Sequence, residues 1–135
     1  MKAHLFVHRK AYTVLVCATA VWIGCCCFPI IDVAANRPNG QWELTLLGYW
    51  VIGTVQGLLW NRLTWWKIAV LNGLLTAFGL LARVPLDLGT AANLYDLTPE
   101  NLAVHLLAAA GIPALSASAI RAIGPAEGHH ILRKP

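Results

Sequence analysis

The chain has 135 residues, enough for one domain, and hydrophobic residues make up 58% of it while charged residues make up 12%. Soluble domains are about 25% charged, so a soluble globule of this composition would leave much apolar surface in water. The net charge of +4 is scattered over the ends of apolar stretches, which argues against a nucleic-acid-binding patch. We therefore expect one integral membrane domain, residues 1–135, with the lipid bilayer as its surroundings.

The first apolar stretch covers residues 11–31 and follows a short basic lead. It carries no charge, and a helix of this length spans roughly 30 Å, one hydrocarbon thickness of the bilayer. We predict a retained membrane-spanning helix. Two alternatives remain open, a cleaved secretory signal and a lipoprotein signal in which Gly24 precedes Cys25.

Two further apolar stretches, residues 43–60 and 65–82, are separated by a short polar turn. Tryptophan is favoured at the headgroup level, where its ring is half buried and its N–H stays hydrated. The stretches begin or end at Trp42, Trp60, Trp65 and Trp66. The pattern predicts two membrane-spanning helices that fold back on each other.

Small side chains recur on both of these predicted helices. Gly53 and Gly57 are four residues apart, and so are Gly73 and Ala77. Small residues at this spacing let helices approach closely in lipid, so we predict that these four pack helices together. Glycine is also simply common in membrane helices, which is the alternative interpretation.

One amide side chain on each helix, Gln56 and Asn72, falls at a similar depth counted from the turn. A hydrogen bond between the two amides would satisfy both in an apolar surrounding. We interpret the pair as structural in preference to part of a transport pathway.

The fourth predicted span covers residues 100–120. Thr98, Pro99 and Glu100 form a helix start, with an N-cap hydroxyl, a proline in the first turn and an acid near the positive end of the helix dipole. Pro113 removes one backbone hydrogen bond and predicts a kink. The tail, residues 124–135, is predicted to be flexible.

Four spans would place both termini on one side of the membrane. Eight of the ten Lys and Arg residues would then lie on that side: Lys2, Arg9, Lys10, Arg62, Lys67, Arg121, Arg133 and Lys134. Only Arg37 and Arg83 would lie on the other side. The positive-inside rule predicts cytoplasmic termini, and the predicted fold is an all-α, up-down bundle of four transmembrane helices in the bacterial inner membrane.

Cysteines are concentrated in the first span, where Cys25, Cys26 and Cys27 are consecutive. Thiolates select soft metal ions such as Cu(I) or Zn²⁺, and His105 lies at a similar outer depth on the fourth span. These four residues are the candidate metal ligands, and no other cofactor is expected. Cysteine can equally act as a small buried apolar residue without chemistry.

Residues 24–29, in which vicinal cysteines precede Phe28 and Pro29, resemble the first span of the mercuric-ion transport membrane proteins. In those proteins vicinal cysteines receive the ion. The resemblance implies the same role for the cysteine run here.

No charged residue lies in the core of any predicted span, and no phosphate loop, metalloprotease motif or nucleophile elbow is present. We therefore expect a non-enzymatic protein. The favoured function is association with other membrane proteins or with further copies of the chain, as an accessory, assembly, exclusion or immunity-type factor. The alternative is a small transporter or channel, in particular for soft metal ions.

Overall fold

The computed structural model describes residues 9–33, 35–60, 62–86 and 97–123, and these form a bundle of four helices. The helices are α1 (Arg9–Cys26), α2 (Trp42–Leu59), α3 (Trp65–Leu86) and α4 (Pro99–Ile123). Between α1 and α2, the two-residue strands β1 (Ile31–Asp32) and β2 (Arg37–Pro38) pair antiparallel. The helical fold class is therefore confirmed, and α3 and α4 are long and apolar enough to cross a membrane.

The helix boundaries differ most from the predicted spans at two places. α1 ends at Cys26, before the predicted end at residue 31, because Pro29 biases Phe28 away from helical backbone angles. α3 continues past the predicted end at residue 82 and accommodates Pro85 in its last turn, where few backbone hydrogen bonds are affected. The tail predicted to be flexible, residues 124–135, lies outside the described residues.

α4 begins as predicted from its sequence. The Thr98 hydroxyl accepts a hydrogen bond from the backbone N–H of Asn101 at 3.2 Å, which satisfies one free donor of the first turn. The Asn101 side chain accepts a second bond, from the backbone N–H of Val33 at 2.9 Å. The start of α4 thus holds the loop that carries β1 and β2.

The four helices pack in a ring whose order differs from the chain order. α1 packs on α3, α3 on α4, and α4 on α2, while α1 and α2 share the least extensive of the four contacts around the ring. Two of the neighbouring pairs are parallel, α1 with α3 and α2 with α4. Gly24 contacts Thr76 in the first pair, and Gly57 contacts Ala117 in the second. The sequence suggested that α2 and α3 pack as close neighbours. In the structure they face each other across the bundle instead.

Two glycines of α2 allow its close approach to α4. A Cβ atom at Gly53 would fall closer than 3.0 Å to the backbone of Pro113, and one at Gly57 would do the same with Ala117. Atoms at this separation overlap, so both positions exclude any larger residue. These glycines pack helices inside the chain, and their faces are covered by α4.

The α1–α3 pair has the same construction. Gly24 of α1 lies against the backbone of Thr76, and Gly79 of α3 lies against the backbone of Val21, each without space for a Cβ atom. Gly73, by contrast, has ordinary contact distance to Ala110, at 3.9 Å, and Ala77 is half-buried. The tight positions of α3 therefore include Gly79 and not Gly73.

The bundle has a mixed interior and a largely apolar outer surface. Gln56, Asn72 and His105 are fully buried between the helices, beside a core of small and aliphatic side chains. Large apolar side chains also face outward, with 63% of Phe78 and 72% of Leu107 exposed. Water-soluble proteins bury most such groups, so an outer surface this apolar is the arrangement expected of helices surrounded by lipid.

Candidate functional site

An amide pair occupies the centre of the bundle. Gln56 Nε2 donates to Asn72 Oδ1 at 3.0 Å, and Asn72 Nδ2 donates to Gln56 Oε1 at 2.7 Å. Asn72 Nδ2 also donates to the backbone oxygen of Ile68 at 2.9 Å. The hydrogen bond predicted from the sequence is confirmed, and it joins α2 to α3 where their backbones do not pack closely.

We expect the two amides to be coupled energetically. Asn72→Leu or Gln56→Leu alone leaves a buried amide without its partner and lowers the free energy of unfolding by about 1–3 kcal/mol. The double substitution removes both polar groups and recovers most of that loss. A double-mutant cycle of unfolding in mixed micelles measures the coupling, and additive single losses would contradict it.

A second polar cluster lies nearer the end of the bundle where α4 begins. Tyr49 Oη is 3.1 Å from His105 Nε2 and 3.5 Å from Thr76 Oγ1, so one phenol links α2, α3 and α4. The His105 ring also meets the edge of Phe28, with ring centroids 5.4 Å apart. His105 Nδ1 is buried and has no hydrogen-bond partner among the described residues. We refer to Tyr49, Thr76 and His105 as the tyrosine cluster.

An arginine caps each parallel helix pair. Arg83 of α3 donates to the backbone oxygens of Cys25, in the last turn of α1, and Phe28, just after it, at 3.1 and 3.0 Å. Arg121 of α4 donates to the backbone oxygens of Trp60 and Leu63, beyond the end of α2. Helix ends leave carbonyl groups unsatisfied and carry partial negative charge, so a guanidinium at each end stabilises both pairs.

The structure does not assemble the candidate metal ligands into one site. Cys25 is half-buried, Cys26 is exposed and Cys27 is buried, as expected for successive residues about 100° apart around a chain that leaves a helix. His105 Nε2 faces Tyr49. Within the described ranges, no group of three or more His, Cys, Asp or Glu side chains is placed to hold a metal ion.

Sequence reasoning missed four residues of the polar interior: Tyr49, Thr76, Arg83 and Arg121. Helical spacing offered a signal for two of them. Tyr49 lies two turns before Gln56 on the same face of α2, and Thr76 lies one turn after Asn72 on the same face of α3. The arginines gave no such signal, because a basic residue at a span end also serves as a topology determinant.

The described residues also form a polar pocket and an apolar groove. A polar pocket of about 390 Å³ lies in the loop between α1 and α2, lined by Phe28, Pro29, Asp32, Arg37, Pro38, Asn39 and Gly40. An apolar groove of about 550 Å³ runs between α1 and α2 themselves. The groove marks the side of the ring where the helices pack least.

No protein-family model matches the sequence, and comparisons with curated proteins and with solved structures give no significant match. A functional proposal therefore depends on the geometry of this chain.

Proposed function

We propose that the chain is an integral membrane protein with four spans and that it acts through association with other membrane proteins. The apolar outer surface of the bundle carries this proposal, because large apolar side chains face outward while two amides and an imidazole are fully buried. α1 and α2 have 18 residues each, about 27 Å of helix, which is close to the hydrocarbon thickness. The length of α1 and α2 thus supports two further spans beside α3 and α4, which are long and apolar enough to cross a membrane.

Charge supports cytoplasmic termini. Arg121 binds the turn between α2 and α3, so the end of α4 shares one end of the bundle with that turn, which carries Arg62, and with the start of α3, which carries Lys67. Arg9 and Lys10, at the start of α1, belong to the same end. This basic end suits the cytoplasmic side of a bacterial inner membrane. A carboxy-terminal green fluorescent protein fusion should fluoresce, and an alkaline phosphatase fusion there should be inactive; the reverse would contradict this orientation.

Association follows from what the bundle leaves exposed. Gln56 and Asn72 form hydrogen bonds with each other, and α4 covers Gly53 and Gly57. These four residues are therefore not available to contact a partner protein. Gly111 of α4 differs, because a Cβ atom there would meet no atom within 4 Å. Small residues on an outer face allow close approach of another helix in lipid.

The Gly111 surface supplies the test of association. Gly111→Leu fills the outer face of α4 without touching the bundle, so we expect the fold to persist and the complex to be lost. Native electrophoresis of gently solubilised membranes compares each species with the 14.6 kDa chain. Gly73→Ala, a tolerated change on α3, is the matched control. A wild-type chain that migrates alone would contradict the proposal.

A soft-metal transporter makes a different prediction. It requires thiolates at Cys25, Cys26 and Cys27 as ligands. Elemental analysis after equilibration with Zn²⁺ and Cu(I) distinguishes the two functions. Stoichiometric metal in the wild type that disappears in the triple Cys→Ser variant would favour transport over association.

A further inference from the structure

We propose that the groove between α1 and α2 binds one acyl chain of an anionic phospholipid, whose headgroup contacts Arg9. The inference rests on the membrane placement proposed above. The groove lining includes Tyr12, Leu15, Thr19, Gly48, Val51 and Val55. It lies on the side of the helix ring where neighbouring helices share the least extensive contact.

The lining requires an occupant without polar groups. Its two threonine hydroxyls are already used, since Thr19 donates to the backbone oxygen of Leu15 at 2.8 Å and Thr45 donates to that of Gln41 at 3.0 Å. Gly48 deepens the groove, and Leu44 and Val51 expose most or half of their surfaces along it. A hydrocarbon chain suits this predominantly apolar surface.

Its dimensions suit a hydrocarbon chain better than a helix. The lining extends from Tyr12 on α1 to Cys27 just beyond that helix, about 22 Å along the helix axis. A helix of that length with its side chains is about 10–12 Å wide and fills roughly 1,700–2,500 Å³. The groove, with a volume of about 550 Å³, is far too small for it. One hydrocarbon chain, with carbon contacts near 4 Å, is roughly 20 Å² in section.

Charge at the groove ends selects the headgroup. Arg9 is exposed and lies one turn before Tyr12 on the same side of α1, at the basic end of the bundle. Glu43 is exposed at the opposite end, in the first turn of α2. A guanidinium binds phosphate through paired hydrogen bonds, whereas a carboxylate repels it. An anionic lipid of the cytoplasmic leaflet therefore fits, with its phosphate at Arg9 and its chain along the groove.

The same features disfavour two other occupants. A second copy related by a twofold axis would place groove against groove and leave the space unfilled. A partner helix that obeyed the positive-inside rule would bring its own Lys or Arg residues beside Arg9.

Native mass spectrometry of the purified chain tests the site. The chain is reconstituted in nanodiscs containing equal amounts of phosphatidylglycerol and phosphatidylcholine and then released from them. We expect one phosphatidylglycerol to be retained per chain. A Cβ atom at Gly48 would meet only the flexible end of Ile23, so we expect Gly48→Phe to fill the groove floor, keep the fold and lower retention about tenfold. Val51→Trp should act likewise, and Leu74→Trp, on the outer face of α3, should not.

Two charge variants test the headgroup contact. Arg9→Gln should lower the preference for phosphatidylglycerol about tenfold, because it removes the charge-assisted hydrogen bonds. Lys10→Gln removes the same charge from another side of α1 and should leave the preference unchanged. The inference is overturned if no lipid is retained, if both lipids are retained equally, or if groove and control variants behave alike. If the fusion assays support cytoplasmic termini but no lipid is retained, the lipid site is overturned and the membrane placement is not.

Discussion

Leucine in place of Gly53 prevents α2 and α4 from packing and unfolds the bundle. A Cβ atom at this position already falls closer than 3.0 Å to the backbone of Pro113 and to the Ser116 hydroxyl. Backbone cannot move aside as a flexible side chain does, so the two helices must separate along their length. We expect a loss of more than about 3 kcal/mol, above the usual range for an overpacked core.

Reversible unfolding in mixed detergent micelles, followed by circular dichroism, measures that loss. Gly73→Ala is the matched control, because a Cβ atom there sits 3.9 Å from the nearest side-chain atom and alanine favours helix over glycine. The control should unfold at the wild-type denaturant concentration or above it. A Gly53→Leu chain as stable as the wild type would disprove the close α2–α4 contact.

Methionine in place of Arg121 should detach the α2–α3 turn from α4. The guanidinium donates to the backbone oxygens of Trp60 and Leu63, and methionine keeps the apolar stem while removing every donor. Hydrogen bonds to charged groups contribute about 1.5–3 kcal/mol each, so we expect a loss of roughly 2–4 kcal/mol after allowing for partial exposure. The unfolding midpoint measures it.

Hydrogen exchange localises the effect of that substitution. The backbone around residues 60–68 should exchange faster in Arg121→Met, because the turn loses its anchor to α4. Arg62→Met removes an exposed arginine from the same end of the bundle and is the control for net charge. Equal changes in the two variants would show that charge, and not the two carbonyl contacts, is responsible.

Sequence patterns predicted the helices well because the local signals were strong. The Thr98–Pro99 start of α4 and the Gln56–Asn72 hydrogen bond both followed from residue chemistry at known helix positions, and both are confirmed. The end of α1 was placed too late, because an uncharged run of residues hid the effect of Pro29 on the residue before it. Hydropathy alone does not distinguish a helical apolar residue from an extended one.

Helix pairing could not be predicted in the same way. Glycine spacing predicted that Gly53 and Gly57 are contact positions, but it did not predict which helix they would contact. A face of small residues allows close approach of any other helix in lipid. The tyrosine cluster was missed for a related reason. Its members come from three helices and are distant in the chain, so no local spacing joins them.

The ring order of the helices has a consequence for synthesis. The two pairs that close on glycine contacts join helices that are not consecutive, α1 with α3 and α2 with α4. When α2 leaves the ribosome, its close partner does not yet exist, and it acquires that partner only after α4 follows. The α1–α2 hairpin therefore does not form a closely packed unit by itself. A chain interrupted before α4 would keep Gly53 and Gly57 uncovered, which makes such a fragment a natural target for membrane proteases.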